Sequence, residues 1–144
     1  MHRICFTLLI VSLLLAGCGG PPPDTTVADP PGAKPFEKAD NAKINQLVDG
    51  WKSTVPAEMQ KQKIKPETIE ERVYQSSANV QEIADFYKTL TGKGWHEVPR
   101  MPGVRDGILL TGYEIGSTTL VINAVDAKQL GGDGVLIYTV KGSK

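Results

Sequence analysis

The sequence predicts an α+β domain of two layers, an antiparallel sheet of four to five strands covered by one main helix, with an additional N-terminal helix. Three observations carry this. Residues 68–76 alternate side chain by side chain, with β-branched and aromatic content. Val80, Ile83, Ala84, Tyr87 and Leu90 form an apolar stripe at helical spacing. Between residues 95 and 140, strand-like runs follow one another on connections too short for helical crossovers, which implies an antiparallel meander.

Taken in order, the first element is a helix. Ile44, Leu47, Val48 and Trp51 recur at i, i+3, i+4 and i+7. Asp40 or Asn41 is placed to cap its start, Pro56 to limit its end, and Trp51 belongs in the core. Residues 58–65 bring Lys61, Lys63 and Lys65 beside Ile64. Three lysines fall short of the four to eight that mark an anionic-lipid site, and Glu58 and Glu67 flank them, so a solvated loop is expected. In the strand at 68–76, Ile69, Glu71, Val73 and Gln75 share one face, and Glu70, Arg72, Tyr74 and Ser76 the other.

Asn79 and Glu82 stand at the N-cap and N3 spacing of a capping box and open the 80–91 helix, whose stripe Phe86 widens. Gly92 and Gly94 stop it. Trp95 to Val98 reads as a short strand. Pro99, Pro102-Gly103 and Asp106-Gly107 read as turns. Ile108 to Ile115 and Thr118 to Val125 are strands joined at Gly116-Ser117. The second carries apolar groups on both faces, which makes it central. A polar, Gly-rich loop over 126–134 leads to a last strand, Val135 to Val140.

The head of the chain has a different character. Arg3 supplies charge, twelve mostly apolar residues run from Ile4 to Leu15, and small residues lead to Cys18. That is the order of a secretory signal. Twelve residues are too few to cross a bilayer, which takes about twenty. Leu15, Ala16, Gly17 and Cys18 resemble the bacterial lipobox position by position. The resemblance covers the first eighteen residues. It implies cleavage between Gly17 and Cys18, a diacylglyceryl thioether on the Cys18 sulfur, and often a third acyl chain on the new amino group. The protein would then be exported and anchored through acylated Cys18. Gly19 stands where Asp usually signals inner-membrane retention, so the periplasmic face of the outer membrane is implied in a two-membrane organism, and otherwise the outer face of the cell membrane. A second, shorter resemblance covers residues 79–95, where Phe86-Tyr87 and Gly94-Trp95 look like small envelope lipoproteins with a recurring FY…GW passage. It implies no activity.

The expected organisation is a signal peptide over 1–17, a lipid-anchored Pro/Gly-rich linker over 18–36 and one α+β domain over 37–144. Six of the ten prolines lie between Gly19 and Pro35, with few apolar groups among them. The expectation is therefore an inert spacer, which at polyproline rise reaches about 50 Å. Removing seventeen of 144 residues leaves 127, enough for one domain and a linker.

Composition removes several function classes. Sixteen Lys and Arg balance sixteen Asp and Glu, so the chain lacks the basic excess of a nucleic-acid binder. Its two cysteines are Cys5, in the expected signal, and Cys18, which the lipobox resemblance assigns to lipid. Disulfides, a Cys nucleophile and Cys/His metal sites are excluded from the domain, and no cofactor is implied. His96 is the single histidine beyond the signal, and in a strand its neighbour Glu97 points to the opposite face. The same geometry separates Glu70 from Glu71, whereas two-carboxylate catalysis needs both on one site. Gly131-Gly132-Asp133-Gly134 leads into a strand, while a phosphate-binding loop leads into a helix.

The sequence thus points to a non-enzymatic binding or scaffolding domain, with membrane lipid as one partner and an envelope protein or cell-wall component as another. Its interaction surface would be the uncovered sheet face or the 61–65 loop. The alternative is a small enzyme, or enzyme accessory, acting on envelope polymers.

Overall fold

Strong β-formers fill three long runs on tight turns, and those runs make the centre of the molecule. In the computed structural model, which describes residues 20–144, they are β5 (Ile108–Ile115), β6 (Thr118–Asp126) and β7 (Val135–Ser143). The β5–β6 turn is two residues long, with Gly116 at φ +56°. Its first central residue takes the positive φ that a II′ hairpin requires. Around this meander stand β1 (Ala33–Pro35), α1 (Ala42–Lys61), β2 (Glu70–Ser76), α2 (Val80–Lys88), β3 (His96–Glu97) and β4 (Gly103–Arg105). The sheet order is β1-β2-β7-β6-β5-β3, with β4 also on β5, and every pairing is antiparallel. β2 takes the free edge of β7 and β3 the free edge of β5, so α2, which joins them, must cross one face of the meander.

The α+β class holds; the layer and strand counts change. The sheet has seven strands rather than four to five, and α1 and α2 lie on opposite faces, giving three layers instead of two. On one face Val80, Ile83, Tyr87 and Leu90 pack with Trp95 against Tyr74, Ile137, Leu120, Ile122 and Leu109. On the other, Ile44 packs with Leu136 and Val125, and Met59 with Tyr138 and Val140. Trp51 joins the two groups there, stacked on Tyr138 with ring centroids 5.9 Å apart and planes 8° from parallel. The reason is in β7. Leu136, Tyr138 and Val140 alternate with Val135 and Ile137, all buried, so neither face can be left to water.

α2 begins as expected. The Asn79 side chain accepts from Glu82 N (2.9 Å), and the Glu82 carboxylate accepts from Asn79 N (2.7 Å). The helix tightens into a 3-10 turn at Thr89–Lys93 and ends on Gly94 at φ +87°. α1 corrects two expectations. Asn41 caps it, accepting from Lys43 N (3.0 Å), and it then runs through Pro56 to Lys61. Pro56 removes one helical hydrogen bond, but Val55 and Met59 anchor the second half to the sheet. Residues 58–61, expected in a loop, are therefore helical. Ile64 is only 2% exposed, sealed over Gly142 at a spacing that leaves no room for a Cβ.

Two further corrections concern prolines. Pro102-Gly103, read as a turn, runs into β4, which forms a hairpin with β5 through Asp106-Gly107 at φ +51° and +75°. Val98 N still donates to Gly112 O (2.8 Å), so residues 96–105 form one edge strand broken by a bulge at 99–102. A bulged edge is where a sheet tolerates Pro99 and Pro102.

The second correction falls on the expected linker. From Pro23, packed on Gly116, the chain crosses the α2 face of the sheet as a strap. Pro30 is buried, Ser76 Oγ donates to Pro31 O (2.6 Å), and β1 then pairs with β2 from Ala33↔Ser76 to Pro35↔Tyr74. Val27, Ala33 and Phe36 pack on the core. The sparse apolar groups suffice because the sheet offers preformed partners for the backbone. Gly17 and Cys18 lie outside the described residues.

Candidate functional site

The strap and the sheet enclose a groove of about 150 Å³. α2 is too short to reach the lower part of its face, so Arg72 of β2, Thr139 and Lys141 of β7 and Leu120 of β6 emerge beyond Tyr87. They share that face because the register pairs Arg72 with Thr139 and Glu70 with Lys141. Residues Thr25 to Ala28 form the opposite wall.

Polar bonds hold the two walls together. Tyr74 Oη donates to Asp29 Oδ1 (2.5 Å), and Arg72 Nη1 donates to the same oxygen (3.3 Å) and to Tyr74 Oη (3.4 Å). Lys141 Nζ pairs with Glu70 Oε2 at 3.2 Å. Burial pushes the Tyr74 phenol above its ordinary pKa, and the Asp29 carboxylate raises it further, against the opposing pull of Arg72. Burial pushes Tyr87, beside the groove, up as well. Phenols with raised pKa values stay protonated at neutral pH. They are hydrogen-bond donors there, not bases. The groove therefore presents the cations of Arg72 and Lys141, the hydroxyls of Thr25, Thr26 and Thr139, which both donate and accept, and the Glu70 carboxylate.

The residues weighed from sequence are dispersed. His96 is exposed on β3, opposite Glu114 in register. The Glu114 carboxylate is engaged elsewhere, accepting from Thr119 Oγ1 (3.1 Å) and lying 3.9 Å from Lys144 Nζ. Glu70 and Glu71 point to opposite faces, Glu70 to Lys141 and Glu71 to the Tyr138 hydroxyl (2.5 Å). The glycine run serves packing. A Cβ on Gly132 would stand 2.5 Å from Ile44 Cδ1, and one on Gly134, at φ +71°, 2.4 Å from Ser76 O. Lys61 pairs with Glu58 (2.6 Å) on α1. Both interaction surfaces expected from sequence are altered, since each sheet face carries a helix and Ile64 is buried.

Among the described residues there is no group of three or more His, Cys, Asp or Glu placed to hold a metal ion, and no helix long and apolar enough to cross a membrane. Sequence reasoning missed Asp29, Arg72 and Tyr74 as a set. The available signal was Val27 and Phe36, large apolar side chains in a stretch otherwise made of proline, glycine, alanine and polar residues. No protein-family model matches the chain, and no curated protein or solved structure is significantly similar to it.

Proposed function

We propose that this protein is a lipid-anchored envelope domain, exported and held at a membrane through acylated Cys18, that binds or scaffolds rather than catalyses. The observation that carries the reading is the Leu15-Ala16-Gly17-Cys18 box behind a charged start and a twelve-residue apolar run. One acyl chain binds only marginally, whereas two or three long chains give a stable anchor, since each buried methylene contributes ~0.8 kcal/mol. The fold is compatible with life outside the cell. Its core is closed on both faces by apolar packing, and residues 20–144 contain no cysteine to oxidise.

The groove beside the strap is the surface we assign to a polar partner, an envelope protein or a cell-wall component. Its rim of cations, threonine hydroxyls and the Glu70 carboxylate favours hydrogen-bonded recognition. Catalysis on envelope polymers would need a carboxylate directed at His96, whereas Glu114 is held by Thr119 and Lys144.

Fractionation of cells expressing Cys18→Ala tests the anchor. The wild-type chain should sediment with membranes, and the variant should appear in soluble or unprocessed form. A variant that stays membrane-bound at the wild-type level overturns the reading.

A further inference from the structure

We infer that the end of the domain carrying the β5–β6 turn faces the bilayer, held there by the docked strap; the inference rests on the lipid anchor proposed above. A free linker from Cys18 to residue 36 would let the domain tumble at up to about 50 Å from the lipid. The strap removes most of that freedom. Pro23 already packs on Gly116, and the chain from Thr25 to Asp29 is committed to the groove. Only the steps from Cys18 to Pro23 are left, and a fully extended chain spans at most ~3.6 Å per residue. The lipid-bearing sulfur therefore lies within about 20 Å of the β5–β6 turn.

That turn belongs to a defined end of the molecule. Lys144 N donates to Ser117 O (3.0 Å), and Lys65 N donates to Ser143 O (2.9 Å). Hydrogen bonds from Thr26 hold the Asp24 carboxyl below its ordinary pKa, with a smaller pull from the charge of Lys93. The opposite end carries Asp106-Gly107 and Gln129, whose side chain donates to Asp106 O (2.8 Å). β6 separates the two ends with nine residues, about 27 Å of strand.

The partner is the phospholipid headgroup layer, and the tether rather than charge sets the orientation. Lys65, Lys93 and Lys144 at this end are matched by Asp24, Glu67 and Glu114. An anionic leaflet offers only ~1 kcal/mol per unopposed lysine, so a balanced surface gains little from it.

The test uses the lipoprotein purified from membranes and returned to vesicles of phosphatidylethanolamine and phosphatidylglycerol. Ser117→Cys and Gln129→Cys, both at exposed positions, each introduce one thiol for a fluorophore, and a quencher is carried on the lipid headgroups. Quenching at position 117 should exceed that at 129 several-fold and should persist at high salt. A flexible insertion of about a dozen Gly and Ser residues between Gly20 and Pro21 should abolish the difference. Equal quenching in vesicle-bound protein, a reversed order, a difference lost in salt, or one that survives the insertion overturns this inference alone. Failure of the purified protein to bind vesicles, together with an unacylated mass, overturns the anchor reading beneath it.

Discussion

α1 covers its face of the sheet with twenty residues, about 30 Å of continuous helix, whereas α2 covers the other with nine, about 14 Å, and leaves the remainder to an irregular strap. The first face is sealed by side chains in van der Waals contact from Ile44 to Met59, with Ile64 closing the far end over Gly142. The second is sealed by apolar side chains of α2, Leu90 and Trp95, and by Val27 and Ala33 of the strap. There Asp29, Arg72 and Tyr74 add hydrogen bonds that hold the strap on a part-exposed surface. A helix that falls short of its sheet leaves polar register positions uncovered, and this chain fills the gap with its own N-terminal segment. Apolar contact and surface hydrogen bonding differ in strength, so the two faces should differ in how they come apart.

The largest effect should come from the α2 face itself. Tyr87→Ala empties a fully buried position and is expected to cost about 3–5 kcal/mol, as large aromatic truncations do. Denaturant melts measure it, and an unchanged midpoint would mean that α2 does not pack as described. On the opposite face, Ile64→Ala should cost roughly 2–4 kcal/mol, with the loss felt in global unfolding. If that substitution instead loosens only the 61–66 segment, seen by hydrogen exchange, the α1 face is less cooperative than its packing implies.

Alkaline pH acts on both faces at once. Tyr87 on one and Tyr138 on the other have raised pKa values, chiefly through burial, with Glu71 adding to the shift at Tyr138. A raised folded-state value means that the native state keeps its protons longer than the unfolded chain does. The stabilisation is complete below the unfolded tyrosine pKa of about 10 and is lost as the pH rises beyond it, on the order of 1 kcal/mol per unit for each such phenol. Stability that holds level above that pH in wild-type protein would contradict the assigned burial. Smallest in global terms is Tyr74→Phe, which deletes the donor to Asp29 and should cost about 1 kcal/mol. Its signature is local. Amide exchange at residues 25–29 should quicken while the α1 face keeps its protection; uniform acceleration would show that strap and core unfold as one unit.

Much of this was legible in the sequence. The Asn79/Glu82 cap, the Val80–Leu90 stripe, the Ile108–Ile115 strand and the split of Glu70 from Glu71 all follow from local spacing, because caps, helix periods and strand alternation act over a few residues. The apolar residues on both faces of residues 118–125 already required cover on both sides, and that requirement, followed through, gives three layers instead of two. Pro56 misled because helix propensity is local while the anchoring of Val55 and Met59 is not. That Glu97 cannot orient His96 was an expectation from strand geometry, which forbids neighbours from converging. The strap groove was not foreseen, because Asp29 meets Tyr74 across 45 residues.

The sequence alone determined the α+β class and the elements whose signals are local, such as α2, β2, β5 and β6, since propensity, capping and alternation are properties of neighbours along the chain. Its first eighteen residues also carry the resemblance on which the anchor is proposed. Only the tertiary structure decided which sheet face each helix takes, that a proline-rich segment is docked instead of free, and which polar groups meet in a groove. Those outcomes depend on surfaces that exist only once β7 has been flanked by β2 and β6. A short segment with too little apolar area to fold by itself can still be ordered by a sheet that already offers it partners.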